Sequence, residues 1–181
     1  MGILNNLKYR LRGEVSTESL IKQGMTVGKN FLRMNNVLID DSHAWLIEIG
    51  DDVSLGPRVH ILAHDASTKK LLGFTKIGNV IIGNNVFVGA ESVILPGVSI
   101  GDNVIIGANS TVSHDIPPNS VYCGSPAHFV CSMEDYITRQ RERMQSSPVY
   151  DESWTLRGNI SMDARKKQKE ELKKSRFGFV D

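Results

Sequence analysis

At 181 residues the chain is long enough for one domain and a tail, and its 40% hydrophobic content is enough to fill a narrow core. A net charge of +1 with a pI near 7.8 gives no basic surplus for nucleic acid or an anionic membrane surface. The two cysteines, Cys123 and Cys131, are too few for a disulfide framework and lack metal-ligand spacing, and no apolar run reaches signal-peptide or membrane-spanning length, so a cytoplasmic protein is expected.

In chain order, residues 1–14 carry Leu4, Leu7 and Leu11 among basic residues, a spacing that predicts a short lead-in helix. From Val15 an aliphatic returns every six positions, at Val15, Ile21, Val27 and Ile39, with Arg33 as the one exception. Ser16 to Gly24 also fits a capped helix, but the phase favours assigning it to the repeat. Arg33 predicts either an irregular coil or a polar group reaching a cleft. Ile39 to Ile49 is one hexapeptide plus four, which predicts a small bulge around Ser42 to Trp45.

Ile49, Leu55 and Ile61 then keep phase, and Ile61 to Lys76 is one hexapeptide plus nine. A loop of about nine residues, roughly Ser67 to Thr75, is therefore expected to leave the scaffold, and loops on rigid scaffolds concentrate function. From Ile82 to Pro117 the repeat runs without a slip: Ile82, Val88, Ile94, Ile100, Ile106 and Val112 open successive blocks of six. The second place is usually Gly and the fifth is Val, Ser or Ile.

A side chain that returns every six residues on short straight pieces lines one interior only if each piece is one face of a prism. Three faces make a coil of eighteen residues, and neighbouring coils pair as parallel strands about 4.8 Å apart. The small second place keeps each corner uncrowded. The pattern defines a parallel β-helix. His64, just before the extruded loop, occupies a corner, and counting one coil plus the nine loop residues brings Glu91 and Ala90 to that corner, with Ala108 one coil further on.

After Ala127 the repeat ends. Ser132 with Asp135 three residues on reads as a capping box, and the following stretch predicts a helix that covers the open end of the prism. Ser146-Ser147-Pro148 breaks it, and a second charged helix follows. The predicted organisation is a lead-in over 1–14, a β-helix over 15–130 and a helical extension over 131–181.

The hexapeptide rows, the His64-Asp65 pair before an extruded loop, and the run GANSTVSHDIPPNSVYCGSPA resemble the hexapeptide-repeat acyltransferases, in particular sugar O-acetyltransferases of the galactoside/maltose type and their polysaccharide-biosynthesis relatives. The resemblance implies an all-β, left-handed parallel β-helix, a homotrimer with active sites between subunits, acetyl-CoA as donor and no metal. It places His64 on the family's catalytic histidine. Ala90 and Ala108 fall along the pantetheine arm, and Ser113, His114 and His128 fall near the nucleotide end, where two positions that are often basic in the family are histidines here. Asn35 and Asp41 fall near sugar-binding positions.

The residue types suit that chemistry. A sugar hydroxyl needs a base to take its proton as it attacks a thioester, and an imidazole with an unperturbed pKa of about 6.5 is matched to the task. The imidazolium then protonates the departing thiolate, and a backbone N–H near Ala90 is the expected oxyanion donor. No nucleophilic Ser or Cys is required, so direct transfer is expected. Asp65 points away from its neighbour on an extended piece, leaving a backbone carbonyl as the expected partner of the imidazole. Three other readings use the same scaffold: N-acetylation of an amino sugar or other small acceptor, a non-catalytic assembly protein, and a zinc hydratase like the γ-class carbonic anhydrases. The hydratase lacks a third histidine at a coil offset from His60 and His64.

Overall fold

The computed structural model describes residues 13–181; the expected lead-in helix with Leu4, Leu7 and Leu11 lies outside the described residues. The chain divides into two compact units, Met1–Met133 and Glu134–Asp181.

In the first unit the six-residue phase is realised as three parallel sheets. One face stacks Thr26–Val27, Ile47–Ile49, Val80–Ile82 and Ser99–Ile100. A second stacks Leu32–Arg33, Ser54–Leu55, Val86–Val88, Val104–Ile106 and Ser120–Cys123, with His128–Ser132 added antiparallel at its end. The third stacks Leu38–Ile39, His60–Ile61, Val93–Ile94 and Thr111–Val112. Partners within a face hold the same place in their hexapeptides, so Leu55, Val88 and Ile106 lie one above another.

Both aliphatic rows of the repeat point inward. Ile82, Val88, Ile94, Ile100, Ile106 and Val112 are at most 2% exposed, and so are the fifth-place residues Val86, Ser92, Val98, Val104 and Ser110. The prism has room for these rows only because its corners are tight. A Cβ added to Gly89 would stand 2.4 Å from the Ala108 nitrogen of the next coil, inside any real contact. The buried hydroxyls are satisfied locally: Ser92 and Ser110 both donate to the Gly107 carbonyl, at 3.0 and 2.7 Å.

Three expectations need correction. Ser16 to Gly24 is a helix, Thr17–Lys22, not a repeat. The Ser16 hydroxyl accepts from the Ser19 amide at 3.2 Å, Gly24 takes a positive φ at the far end, and the helix buries Leu20 while leaving Ile21 47% exposed. The capping residues outweigh the six-residue phase there.

The extruded segment is longer than nine residues. Lys76–Ile77 does not return to the prism but pairs antiparallel with His64–Asp65. As a result Ile61 stacks on Ile94, thirty-three residues on and fifteen beyond one coil. The four extra residues after Ile39 are taken up beside the 3-10 turn Ala44–Leu46.

The chain as a whole is not all-β. Its second unit holds most of the helix Met133–Gln145 and the helix Met162–Ser175, the latter capped by Ser161, which accepts from the Ala164 amide at 3.1 Å. The short strands Val149–Tyr150 and Phe179–Val180 pair in parallel beside them. No helix among the described residues is long and apolar enough to cross a membrane.

Arg33 sits at the level of Leu55 in the inward row, with its side chain 3% exposed. Its guanidinium donates to the Val15 carbonyl at 2.8 Å and the Val37 carbonyl at 2.6 Å, and the Glu14 carboxylate stands 3.7 Å away. A charge replaces an aliphatic here because the first coil supplies it with carbonyls and a counter-ion.

Candidate active site

The corner between the third face and the first is where the chain departs from its repeat. It carries the four extra residues after Ile39, the fifteen-residue excursion after Ile61, and the tight turns after Ile94 and Val112. Because Ile39, Ile61, Ile94 and Val112 are in register, the residues that follow each of them form one column. Asp40, Leu62, Leu95 and Ser113 open that column, and His64 stands two residues beyond Leu62.

Asp40 is 4% exposed. Its Oδ2 accepts from the Ala63 amide at 2.9 Å and meets His64 Nδ1, while its Oδ1 accepts from the Ser42 amide at 3.1 Å. Burial alone pushes this carboxyl up, but the hydrogen bonds from His64, Ala63 and Ser42 and the nearby imidazole charge outweigh it and hold the pKa below the usual carboxylate value. The group is therefore a fixed anion facing Nδ1. That arrangement holds the ring proton on Nδ1 and leaves Nε2 with the lone pair a general base needs.

The sequence points to Asp41 and to a backbone carbonyl on the imidazole; the structure has Asp40 there instead. Carrying the count across the four-residue bulge places Asp40 level with Leu62, two residues from the histidine. Asp65 is directed elsewhere, as expected. The Ser67 amide and hydroxyl and then Lys76 hold its carboxyl down to about 2, and Lys76 Nζ lies 3.2 Å from it. These contacts tie Asp65 to the base of the loop.

His64 lies between two cavities that share it and Leu62. One, of about 330 Å³, is bounded by Arg33, Asn36, Asp41, Ser42 and His60. The other, of about 600 Å³, is bounded by Asp65, Lys76, Leu95, Pro96 and Ser113. Asp41 and Ser113 each line one of these cavities together with His64. His114 is next to Ser113, its Nδ1 2.9 Å from the Ser113 hydroxyl. Asn35 is exposed and its carbonyl accepts from the Arg58 amide; Asn36 is the asparagine that lines the smaller cavity. His128 is exposed, opposite Cys123 in the antiparallel pair.

Ala90, Ala108 and Glu91 do not share the His64 corner. The longer excursion shifts the count, so they occupy the corner between the second and third faces, where Glu91 pairs with Arg58 and the Asn109 amide donates to the Ala90 carbonyl at 2.8 Å. Within one chain they stand a full prism face away from the imidazole.

His43 completes the surroundings. Its ring lies 5.3 Å from that of His64 and 5.2 Å from that of Trp45. Asp40, His43 and His64 each present a donor atom, all within 4.8 Å of one another. His43, not His60, is the histidine that shares a potential ligand set with His64.

A hexapeptide prism with an anion-oriented histidine at an extruded loop defines the class of β-helix acyltransferases. Comparison with known proteins agrees. Residues 79–114 match the family described as bacterial transferase hexapeptide (six repeats). The chain is 39% identical to protein CapG of Staphylococcus aureus over 135 residues, covering 71% of this chain and 78% of that one. It is 38% identical to the galactoside O-acetyltransferase of Escherichia coli over 116 residues, covering 60% of this chain but only 54% of the relative. A hexapeptide-repeat acetyltransferase from Vibrio cholerae solved with acetyl coenzyme A superposes with a TM-score of 0.55 at 29% identity, over 60% of each chain. The chain belongs to the hexapeptide-repeat acetyltransferases, with their left-handed β-helix and with acetyl-CoA as co-substrate.

Proposed function

We propose that this chain transfers the acetyl group of acetyl-CoA to a hydroxyl of a sugar or glycan precursor, with His64 as general base. The observation that carries the reading is the contact of His64 Nδ1 with the buried Asp40 carboxylate, at the wall between two cavities. The acceptor occupies the cavity bounded by Asn36 and Asp41. The acyl arm enters past Leu95 and Ser113, toward His114 and His128 at the nucleotide end.

The acceptor hydroxyl gives its proton to Nε2 as its oxygen attacks the thioester carbon. The tetrahedral intermediate collapses by breaking the C–S bond, and the imidazolium returns the proton to the CoA thiolate. Asp40 stabilises that imidazolium through Nδ1. Atoms and charge balance without a covalent enzyme intermediate. Ala90 and Ala108, remote from His64 in one chain, line the acyl arm when a neighbouring copy presents their corner to the cleft. The working form in this reading is a homotrimer with its clefts shared between copies. Hydroxyl transfer is favoured over N-acetylation because the galactoside O-acetyltransferase is a relative at 38% identity.

The test is a coupled assay. Purified protein with acetyl-CoA and a panel of galactosides, maltose, amino sugars and sugar nucleotides is followed by free-thiol release and product mass. Ester products from neutral sugars support the reading; amide products from amino sugars alone move it to N-acetylation. Light scattering that reports a monomer overturns the shared cleft.

A further inference from the structure

We infer that Asp40, His43 and His64 form an inhibitory site for a divalent transition metal, zinc being the best match. Three observations converge on it. The donor atoms lie within 4.8 Å of one another. Asp40 is 4% exposed, so its carboxylate oxygens are largely shielded from bulk water. His43 Nδ1 is buried and, among the described residues, has no hydrogen-bond partner. A buried ring nitrogen without a partner, on a residue that stands with a carboxylate and a second imidazole, gains a partner if the three groups bind a cation.

The donor chemistry selects the metal class. Two imidazoles and one carboxylate suit zinc, cobalt or copper rather than magnesium or calcium, which take oxygen ligands. Tetrahedral zinc with ligands at about 2.0–2.2 Å requires donors about 3.4 Å apart. The set must therefore contract around the ion while the closer Asp40–His64 contact opens. Water takes the fourth place, reached through the adjoining cavity.

Inhibition follows from which nitrogen binds, and this part rests on the proposed role of His64. Coordination through Nδ1 moves the ring proton to Nε2 and removes its lone pair. Coordination through Nε2 consumes that lone pair directly. Either way the base is lost while the fold is untouched, and removal of the metal restores it. Such a site would make acetyl transfer sensitive to free zinc.

The experiment uses the full-length protein with Cys123→Ser, which removes the exposed thiol, freed of metal by chelation and titrated with Co²⁺. The visible absorption of tetrahedral cobalt reports ligation independently of turnover. The expected result is one cobalt per chain at micromolar concentration, displaced by Zn²⁺. Thiol release should fall in proportion to occupancy and recover on adding EDTA. His43→Gln should weaken cobalt at least ~10-fold, as loss of one of three protein ligands implies; Asp40→Asn serves in its place if that variant does not fold. Equal cobalt affinity with and without the imidazole, or no binding below ~1 mM, overturns the site. Stoichiometric binding that leaves thiol release intact overturns its inhibitory role alone.

Discussion

His64 Nδ1 meets the Oδ2 of Asp40 across twenty-four residues of sequence, and the same oxygen accepts from the Ala63 amide. One buried carboxylate thus fixes both the ring and the backbone beside it. In the proposed mechanism Asp40 acts through the imidazole, as a positioning residue. Asp40→Asn keeps the size but loses the anion that stabilises imidazolium. We expect kcat to fall roughly 10- to 10³-fold with KM for acetyl-CoA little changed. A parallel rise in both Michaelis constants with kcat intact would assign Asp40 to binding instead.

The same carboxylate makes stability depend on pH. Its pKa is lower in the folded chain than its ordinary value of 3.8. The unfolded chain therefore takes up this proton first as pH falls. The contribution of Asp40 is fully present above about pH 4 and disappears as pH drops through the folded value. The resistance of the wild type to chemical denaturation should weaken below about pH 4, and Asp40→Asn should flatten that limb of the curve. An unchanged limb in the variant would remove Asp40 from the acid response.

Gly89 tests the tight corner. Its added Cβ would lie 2.4 Å from the Ala108 nitrogen and 2.7 Å from its Cα, both backbone atoms of the next coil. Neither can rotate aside, so Gly89→Ala must spread two coils. We expect a loss of about 2–4 kcal/mol in denaturant titration, comparable with overpacking or opening a core. Ile94→Ala, which empties a fully buried inward place, should cost a similar 2–5 kcal/mol.

Ser113 tests which cavity receives the thioester. It lines the larger cavity with Leu95 and Pro96 and is absent from the wall of the smaller one. Ser113→Phe should raise KM for acetyl-CoA by about tenfold or more through lost access, leaving KM for the sugar within about twofold. The opposite pattern would exchange the two cavities.

The prism was legible because its rule is local and strict: an inward aliphatic every six residues leaves one way to build the coils. Ile82 through Val112 therefore read correctly to the residue. The neighbourhood of His64 was less legible because it is where the rule lapses. Lys76 happens to stand in phase with the repeat, so the count treated it as a prism face, whereas it pairs with Asp65 at the neck of the loop. That slip of six residues placed Ala90 and Glu91 on the wrong corner. Ser16 to Gly24 failed for the converse reason, since aliphatics spaced by six also occur on a capped helix. Asp40 was hidden by its neighbour: of two adjacent aspartates, only the register across the bulge shows which one reaches the imidazole.

The most direct measurement is single-turnover acetyl transfer by His64→Ala against the wild type, with the best acceptor from the sugar panel and circular dichroism to confirm the prism. The account predicts a rate lower by ~10²-fold or more with acetyl-CoA binding retained. A variant that transfers acetyl at the wild-type rate would contradict it, and the base would then have to be sought elsewhere along the same corner.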